Sequence, residues 1–415
     1  MNNPPDILII GGGVVGVCAA HYLSEQGASV TIIEKGEVAS GSSFANAGLI
    51  VPSHSVPMAA PGALADGLKW MLDPGSPFYI KPRLSPDLWV WVLRFLLASR
   101  TGPMRRAIPL LRDLHLASTK LYADLASRRD LKFDYEQKGM LMAYTTAQGL
   151  HHGAAEAKLL AEFGLSADVL DAAQARQLEP ALRDHVVGGV FYPDDGHFNP
   201  GTFVQELANV VEKRGVRIQG NTEVLRMETR GNQIKSVLTT SGTFYGKQIV
   251  LAAGAWSPRV GRDLGMNIPV QAAKGYSLTV PRPASGPSLP LILGEARVAV
   301  TPMGDQLRFA GTLEMAGLDL TVNPRRVDAI ANAATNYLKV EKPATTEVWR
   351  GLRPCTPDGL PILGRTRRYE NLILATGHAM IGMSTGPISG KLVSQIALGR
   401  QNEIDITALR PERFE

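Results

Sequence analysis

The sequence predicts an α/β protein built around a Rossmann-like dinucleotide-binding unit. Three features near its N-terminus point there. Ile7-Leu8-Ile9-Ile10 is a continuous apolar run, as expected of a strand buried on both faces. Gly11-Gly12-Gly13-Val14-Val15-Gly16 follows at once and fits G-x-G-x-x-G at Gly11, Gly13 and Gly16. Val14 to Gln26 then reads as a helix with Val17, Ala20 and Leu23 facing the sheet, and Gly27 stops it. Val30 to Ile33 is the second strand, and Glu34 sits at its end.

Each part has a physical task. Gly11 permits the tight turn, Gly13 lets backbone approach a pyrophosphate, and Gly16 lets helix pack on strand. Glu34 stands where the fingerprint needs an acid for the ribose. A carboxylate accepts a hydrogen bond from a 2′-OH and repels a 2′-phosphate. A dinucleotide with a free ribose therefore fits, and NADP does not.

Composition bounds the rest. A chain of 415 residues suggests two domains, at roughly 100–200 residues each. The net charge is +5, with scattered basic residues. The densest cluster, Arg365, Arg367 and Arg368, reads as a solvated turn rather than a nucleic-acid patch. Cys18 and Cys355 have no CxxC spacing, so neither a disulfide framework nor a metal site is expected. That usage fits a reducing, cytoplasmic compartment. A strand begins at Asp6, so no signal peptide is expected. The apolar stretch Leu88 to Leu97 is about half the ~20 residues of a spanning helix. It reads as a buried helix or a contact with the membrane surface.

Downstream, a helix is expected around Met104 to Arg129 and a strand near Gly139 to Tyr144. Pro200 opens an amphipathic helix carrying Phe203, Leu207, Val210 and Val211 on one face. Strands are expected at Val216 to Gln219, Ile234 to Thr240, Thr243 to Ala252, Val270 to Val280, Arg297 to Pro302 and Gln306 to Leu313. Val327, Ile330, Ala334 and Leu338 mark another helix, and Ile388 to Leu398 a last one. Small and hydroxyl residues dominate Ala39 to Leu49. Such a loop can wrap a pyrophosphate with backbone N–H and Ser hydroxyls, or serve as a flexible linker.

Several motifs together resemble the D-amino-acid oxidase superfamily of flavoproteins, which includes glycine oxidase, sarcosine oxidase and bacterial D-amino-acid dehydrogenases. They are Gly11 to Gly16 with Glu34, the stretch ending Ala45-Asn46-Ala47-Gly48, and Ile249 to Ser257 with its Ala-Gly-Ala-Trp turn. Further on come Trp349-Arg350-Gly351-Leu352-Arg353-Pro354 with Thr356-Pro357-Asp358-Gly359, and Leu374 to His378 leading to Gly382 and Gly386. Val51-Pro52, Pro57 to Gly62, Leu68-Lys69-Trp70-Met71 and Lys274 to Thr279 look closest to the D-amino-acid dehydrogenases.

The resemblance implies a glutathione-reductase-type FAD domain (1–75, 145–262 and 348–415) interleaved with an antiparallel-sheet α+β substrate domain (76–144 and 263–347). It implies FAD contacts from Gly11, Gly13, Val14, Val15, Gly16, Glu34, Lys35, Ser42, Ser43, Ala47, Gly48, Leu49, Val224 and Gly254, and from the loop His378, Ala379, Met380, Ile381, Gly382 and Met383. Gly351 stands where some sarcosine oxidases carry the cysteine that attaches flavin, so non-covalent FAD is expected. Arg353 is the expected anchor for a substrate carboxylate, since a guanidinium offers two parallel hydrogen bonds. Its other reading is a structural salt bridge. Tyr276 is the expected second contact to that carboxylate, or else a core tyrosine. Lys274 is expected to meet flavin or solvent. His54, His197 and Glu295 are polar candidates for substrate contact, or ordinary loop residues. Met380 replaces an arginine of glycine oxidases, which implies a more apolar pocket and a larger substrate than glycine.

The implied reaction is oxidative deamination of a D-amino acid by hydride transfer from Cα to flavin N5. The electrons would pass to a quinone or another acceptor. A D-proline or hydroxy-D-proline dehydrogenase, an oxidase producing H2O2, and a non-catalytic flavin-binding subunit are the alternatives. The implied partners are a small D-amino or imino acid and an electron acceptor, either a quinone or a partner subunit, with no nucleic acid. Peripheral contact with the cytoplasmic face of the inner membrane and oligomerisation stay open.

Overall fold

The computed structural model describes residues 5–63, 76–81, 83, 85–344 and 347–415. Leu68-Lys69-Trp70-Met71 lies outside them.

Among the described residues, Ile7–Ile10 is central to a six-stranded sheet. The order is Ile362–Arg365, Leu372–Thr376, Gln248–Leu251, Ile7–Ile10, Val30–Ile33 and Arg217–Gln219. Its pairings are parallel except that between the first two strands. Every residue of Ile7–Ile10 and Val30–Ile33 is buried, which is why both read as unbroken apolar runs. The Val14–Glu25 helix covers one face, packed against Gly386–Ala397 and Pro200–Lys213. Burying Val17, Leu23, Leu207, Val211, Ile388 and Leu392 contributes about 1.5–3 kcal/mol per side chain.

A second, larger sheet runs Val348–Cys355, Gln271–Pro281, Gln306–Met315, Val298–Met303, Leu291–Leu293, Met140–Tyr144, Gly188–Tyr192 and Asp168–Asp171, with Phe78–Ile80 paired to Gln306–Met315. Most of its pairings are antiparallel, and helix Pro324–Tyr337 packs on it. The sheet reaches beyond 76–144 and 263–347. Asp168–Asp171, Gly188–Tyr192 and Val348–Cys355 all pair within it. The two halves thus exchange strands as well as loops.

Two other expectations are corrected. Thr243 to Ala252 is two strands, Gly242–Phe244 in a small antiparallel sheet and Gln248–Leu251 in the parallel one. The chain turns between them at Gly246, where a Cβ would lie 2.7 Å from Leu8 Cβ. Secondly, helix Pro86–Ala98 is not buried. It turns Leu88 and Trp91 inward, while Trp89 is 62% exposed and Leu93 58% exposed. Among the described residues, no helix is long and apolar enough to cross a membrane.

Candidate active site

A cavity of about 1290 Å³ runs between the two sheets. Gly11, Gly13, Glu34, Lys35, Thr222 and Val224 line one end, and Arg353, Tyr276, Thr312 and His378 line the other.

At the first end the polar groups converge on the turn after Ile7–Ile10. Glu34 Oε2 accepts from Gly12 N–H at 2.7 Å, and Oε1 from Gly36 N–H at 3.0 Å. A carboxylate has about four acceptor positions, so it can still take a ribose hydroxyl. Lys35 Nζ sits 4.9 Å from the Trp256 ring centre. Ser43 Oγ accepts from Val14 N–H at 3.0 Å, at the start of the helix, where Gly13 has no side chain to cap it. Val14, Val15, Leu49 and Gly254 also line the cavity. Gly16 and Gly48 do not, and each is needed for packing instead. A Cβ on Gly16 would lie 2.0 Å from Gly11 O, and one on Gly48 2.2 Å from Phe198 O.

The serine-rich loop is held, not floppy. Ser42 Oγ donates to Leu352 O at 2.6 Å and accepts from Leu352 N–H at 3.1 Å. Ser277 Oγ donates to Ala45 O, and Arg308 Nη1 to Asn46 O. These bonds fasten the loop to the larger sheet and leave Ser42, Ser43 and Ala47 along the cavity wall. A linker would need none of them.

At the other end, Gln271–Pro281 and Val348–Cys355 pair through Ala273 and Arg353. The Arg353 side chain then crosses Gly275, where a Cβ would lie 2.1 Å from its Nη1. Nη1 donates to Thr312 O at 2.6 Å. Among the described residues, no carboxylate lies within the 4.0 Å of an ion pair, so the structural salt bridge is not formed. Burial pulls the Arg353 guanidinium below its ordinary range. A partly buried guanidinium with four N–H groups unspent on protein is a ready carboxylate receptor.

Tyr276 lines the same region, but its hydroxyl is already committed. It donates to Glu314 Oε2 at 3.1 Å and accepts from Asn323 N–H at 3.1 Å. A phenol has one proton to give. It cannot also donate to a substrate carboxylate without releasing Glu314, which corrects its expected role. Lys274 meets neither flavin site nor solvent. It is buried, 3.5 Å from Glu314 Oε1, and donates to Thr321 O at 2.7 Å.

His378 Nε2 and Ser389 Oγ are 3.0 Å apart, so the ring tethers the loop to helix Gly386–Ala397. Burial pushes its imidazole down to about 4, so it is neutral at physiological pH. Ala379, Met380, Ile381, Gly382 and Met383 line the cavity, and Met380 leaves 45% of its surface open. His54 lines it too. His197 and Glu295 do not. His197 is buried beside Leu49, and Glu295 accepts from Thr146 N–H and Tyr337 O–H. Arg297, Glu156 and Thr312 line the cavity without any sequence motif announcing them.

Residues 6–396 match the family described as FAD dependent oxidoreductase, or DAO. The chain belongs to the DAO family of FAD-dependent oxidoreductases. D-Amino acid dehydrogenase of Bradyrhizobium diazoefficiens is 34% identical to this flavoprotein, covering 98% of each chain. That of Methylobacterium radiotolerans is 35% identical over 96% of this chain and 97% of its own. The fold also resembles glycine oxidase from Geobacillus kaustophilus, with a TM-score of 0.80, 22% identity and coverage of 99% and 98%. L-Proline dehydrogenase from P. horikoshii superposes with a TM-score of 0.74 at 20% identity, covering 100% and 98%. The cavity, the glycine turn at the helix start and the Glu34 carboxylate at one end fit FAD.

Proposed function

We propose that this DAO-family protein is a D-amino-acid dehydrogenase. It oxidatively deaminates the amino acid and passes the electrons to a quinone or another acceptor. The observation that carries the reading is Arg353, a cavity-lining guanidinium with a single backbone hydrogen bond and no carboxylate partner. Bound FAD, held without a covalent link, supplies the two-electron acceptor. Gly11, Gly13, Val14, Val15 and Ser43 would hold its diphosphate, with Gly16 behind them. Glu34 and Lys35 would take the ribose end, Val224 the adenine, and Ser42, Ala47, Leu49, Gly254 and residues 378–383 the ring, with Gly48 setting the loop.

Arg353 fixes the substrate by its carboxylate, and so fixes where Cα sits. Met58, Trp91 and Ile381 line the walls and exclude water there. No protein base is needed when the amine binds neutral. The imine product takes up water and yields the 2-oxo acid and ammonia. The relatives named D-amino acid dehydrogenase support the choice of D-amino acids.

Membrane contact belongs to the same reading. Trp89, Leu93 and Leu97 form an outward apolar ridge on Pro86–Ala98, while Trp89, Trp91 and Phe95 of that helix line the cavity. A lipid-soluble quinone could reach the cavity from a surface on which that ridge rests.

The test is anaerobic. The yellow protein is mixed with paired D- and L-amino acids and with proline analogues. D-Amino acids should bleach it and the L-forms should not. On re-admission of air, a dehydrogenase forms little peroxide and turns over with an added quinone, whereas stoichiometric H2O2 would mark an oxidase. Bound flavin that no substrate bleaches would leave only a flavin-binding subunit.

A further inference from the structure

Further along the larger sheet from Val348–Cys355, the cavity carries charged groups that no part of the mechanism above uses. Arg297 precedes strand Val298–Met303, and Glu156 projects from helix Ala147–Ala161. Both line the cavity. Among the described residues neither makes a hydrogen bond or an ion pair within 4.0 Å. Yet Glu156 feels Arg297. Burial raises the Glu156 carboxyl, and Arg297 and then His152 draw it back down. Burial and then Arg297 push His54, on the same wall, down to about 4 and keep it neutral.

The backbone places this pair within reach of Arg353. Ala299 pairs with Ala310 across the two strands. Arg297 is two residues before Ala299, and Thr312, whose carbonyl holds Arg353, is two residues beyond Ala310. In the antiparallel register this sets Arg297 level with Thr312 on the neighbouring strand. Arg297 and Arg353 therefore approach the same stretch of wall. Arg297 (φ +52°) and Thr312 (φ +69°) both hold left-handed backbone, which costs of order 1–3 kcal/mol for such residues. Ala39 and Ala379 share that feature and also line the cavity. The two remaining non-glycine cases, Asp134 and Asn221, are types that tolerate it. The strain is concentrated where a ligand would sit.

We propose that Arg297 and Glu156 form a donor–acceptor subsite for the far end of the substrate, selecting D-amino acids whose side chain ends in a carboxamide or hydroxyl. This rests on the deamination reading. With its carboxylate on Arg353, such a substrate accepts from the Arg297 guanidinium and donates to Glu156. A terminal carboxylate meets Glu156, and a terminal ammonium meets Arg297. A purely apolar end satisfies neither group, and it leaves the part-buried Glu156 without a donor.

The experiment compares kcat/KM for D-glutamine, D-glutamate, D-lysine and D-norleucine in wild type, Glu156→Gln and Arg297→Gln. D-Glutamine should lead in the wild type by about tenfold or more. Glu156→Gln should raise the D-glutamate to D-glutamine ratio about tenfold, and Arg297→Gln the D-lysine to D-glutamine ratio by a similar factor. Ratios that stay within about threefold of wild type in both variants overturn the proposal. A second readout needs no turnover. Glutaramate and glutarate are titrated into the yellow protein, and binding is read from the shift in flavin absorbance. Glutaramate should bind tighter, and Glu156→Gln should close the gap. If no D-amino acid bleaches the flavin, the deamination reading fails. The binding ratio then decides the subsite by itself, and equal affinities that neither variant changes overturn it.

Discussion

Arg353 donates through Nη1 to the carbonyl of Thr312 at 2.6 Å, and Thr312 holds its left-handed backbone (φ +69°) at that point. The bond sets the guanidinium plane while its remaining N–H groups stay free for a ligand. Lysine at this position keeps the charge and loses the fork. Arg353→Lys should raise KM for a D-amino acid at least about tenfold, consistent with roughly 1.5–3 kcal/mol for a charged hydrogen bond. Steady-state kinetics check it, and an unchanged KM removes Arg353 from substrate binding.

Gly275 offers a gentler test of the same geometry. Its missing Cβ makes room for the Arg353 guanidinium, which would otherwise sit 2.1 Å away. The guanidinium is the end of a flexible side chain, so Gly275→Ala should displace it rather than unfold the sheet. KM should rise with flavin content and the circular dichroism spectrum preserved. A variant that binds simple carboxylates as the wild type does contradicts this.

Glu34 is the acid whose position the sequence made plain. The two backbone N–H groups it accepts, Gly12 and Gly36, hold it at the end of Val30–Ile33. Glu34→Ala removes those bonds and the proposed ribose contact together. Flavin should then bind about tenfold or more weakly, as read by flavin retained per chain after gel filtration. Acid precipitation of the wild type should leave the yellow colour in the supernatant, since Gly351 offers no thiol for attachment.

What could be read from the chain was local. The Ile7–Ile10 run, the glycines, Glu34 and the amphipathic Pro200–Lys213 helix all lie in patterns a few residues long. Arg353 was legible through a motif. What escaped depends on distant partners. Tyr276 donates its hydrogen bond to a strand residue 38 positions further on, and nothing near it in sequence announces Glu314. Arg297 and Glu156 line one cavity only because Ala147–Ala161 packs beside Met140–Tyr144, which pairs with Leu291–Leu293. Which side of Pro86–Ala98 faces outward was likewise fixed by packing, since apolar residues lie all around that helix.

Asp195 gives the chain a specific pH dependence. It is fully buried, and burial pushes its carboxyl up to about 8 against the opposing pull of the Ser53 hydroxyl and N–H. Its unfolded pKa is about 3.9. A raised carboxyl means the native state holds the proton longer than the unfolded chain does. The stability it contributes is complete below about pH 4 and is lost as pH rises through about 8. The buried histidines, His54 and His378, work in the opposite sense below about pH 6.5. The window from about pH 6.5 to 8 is therefore the informative one. Thermal melting temperature should fall across it in the wild type and fall less in Asp195→Asn, which keeps the bond from Ser53 N–H and can donate its amide N–H to the Ser53 hydroxyl. Equal slopes would mean that Asp195 ionises normally.

The commitment of Tyr276 yields the sharpest contrast with the expectation from sequence. Glu314 is buried and serves Lys274 Nζ at 3.5 Å, Arg326 Nε at 3.8 Å and the Tyr276 hydroxyl at 3.1 Å. It is the anion that offsets two buried cations. Tyr276→Phe removes one hydrogen bond and leaves Asn323 N–H without its acceptor. Stability should fall by about 1–3 kcal/mol in denaturant melts, with KM for a D-amino acid within about twofold of wild type. Glu314→Gln strips the charge that Lys274 and Arg326 share, and should cost about 3–5 kcal/mol. A tyrosine that instead held the substrate carboxylate would give the reverse pattern, with KM raised severalfold and the melt unmoved.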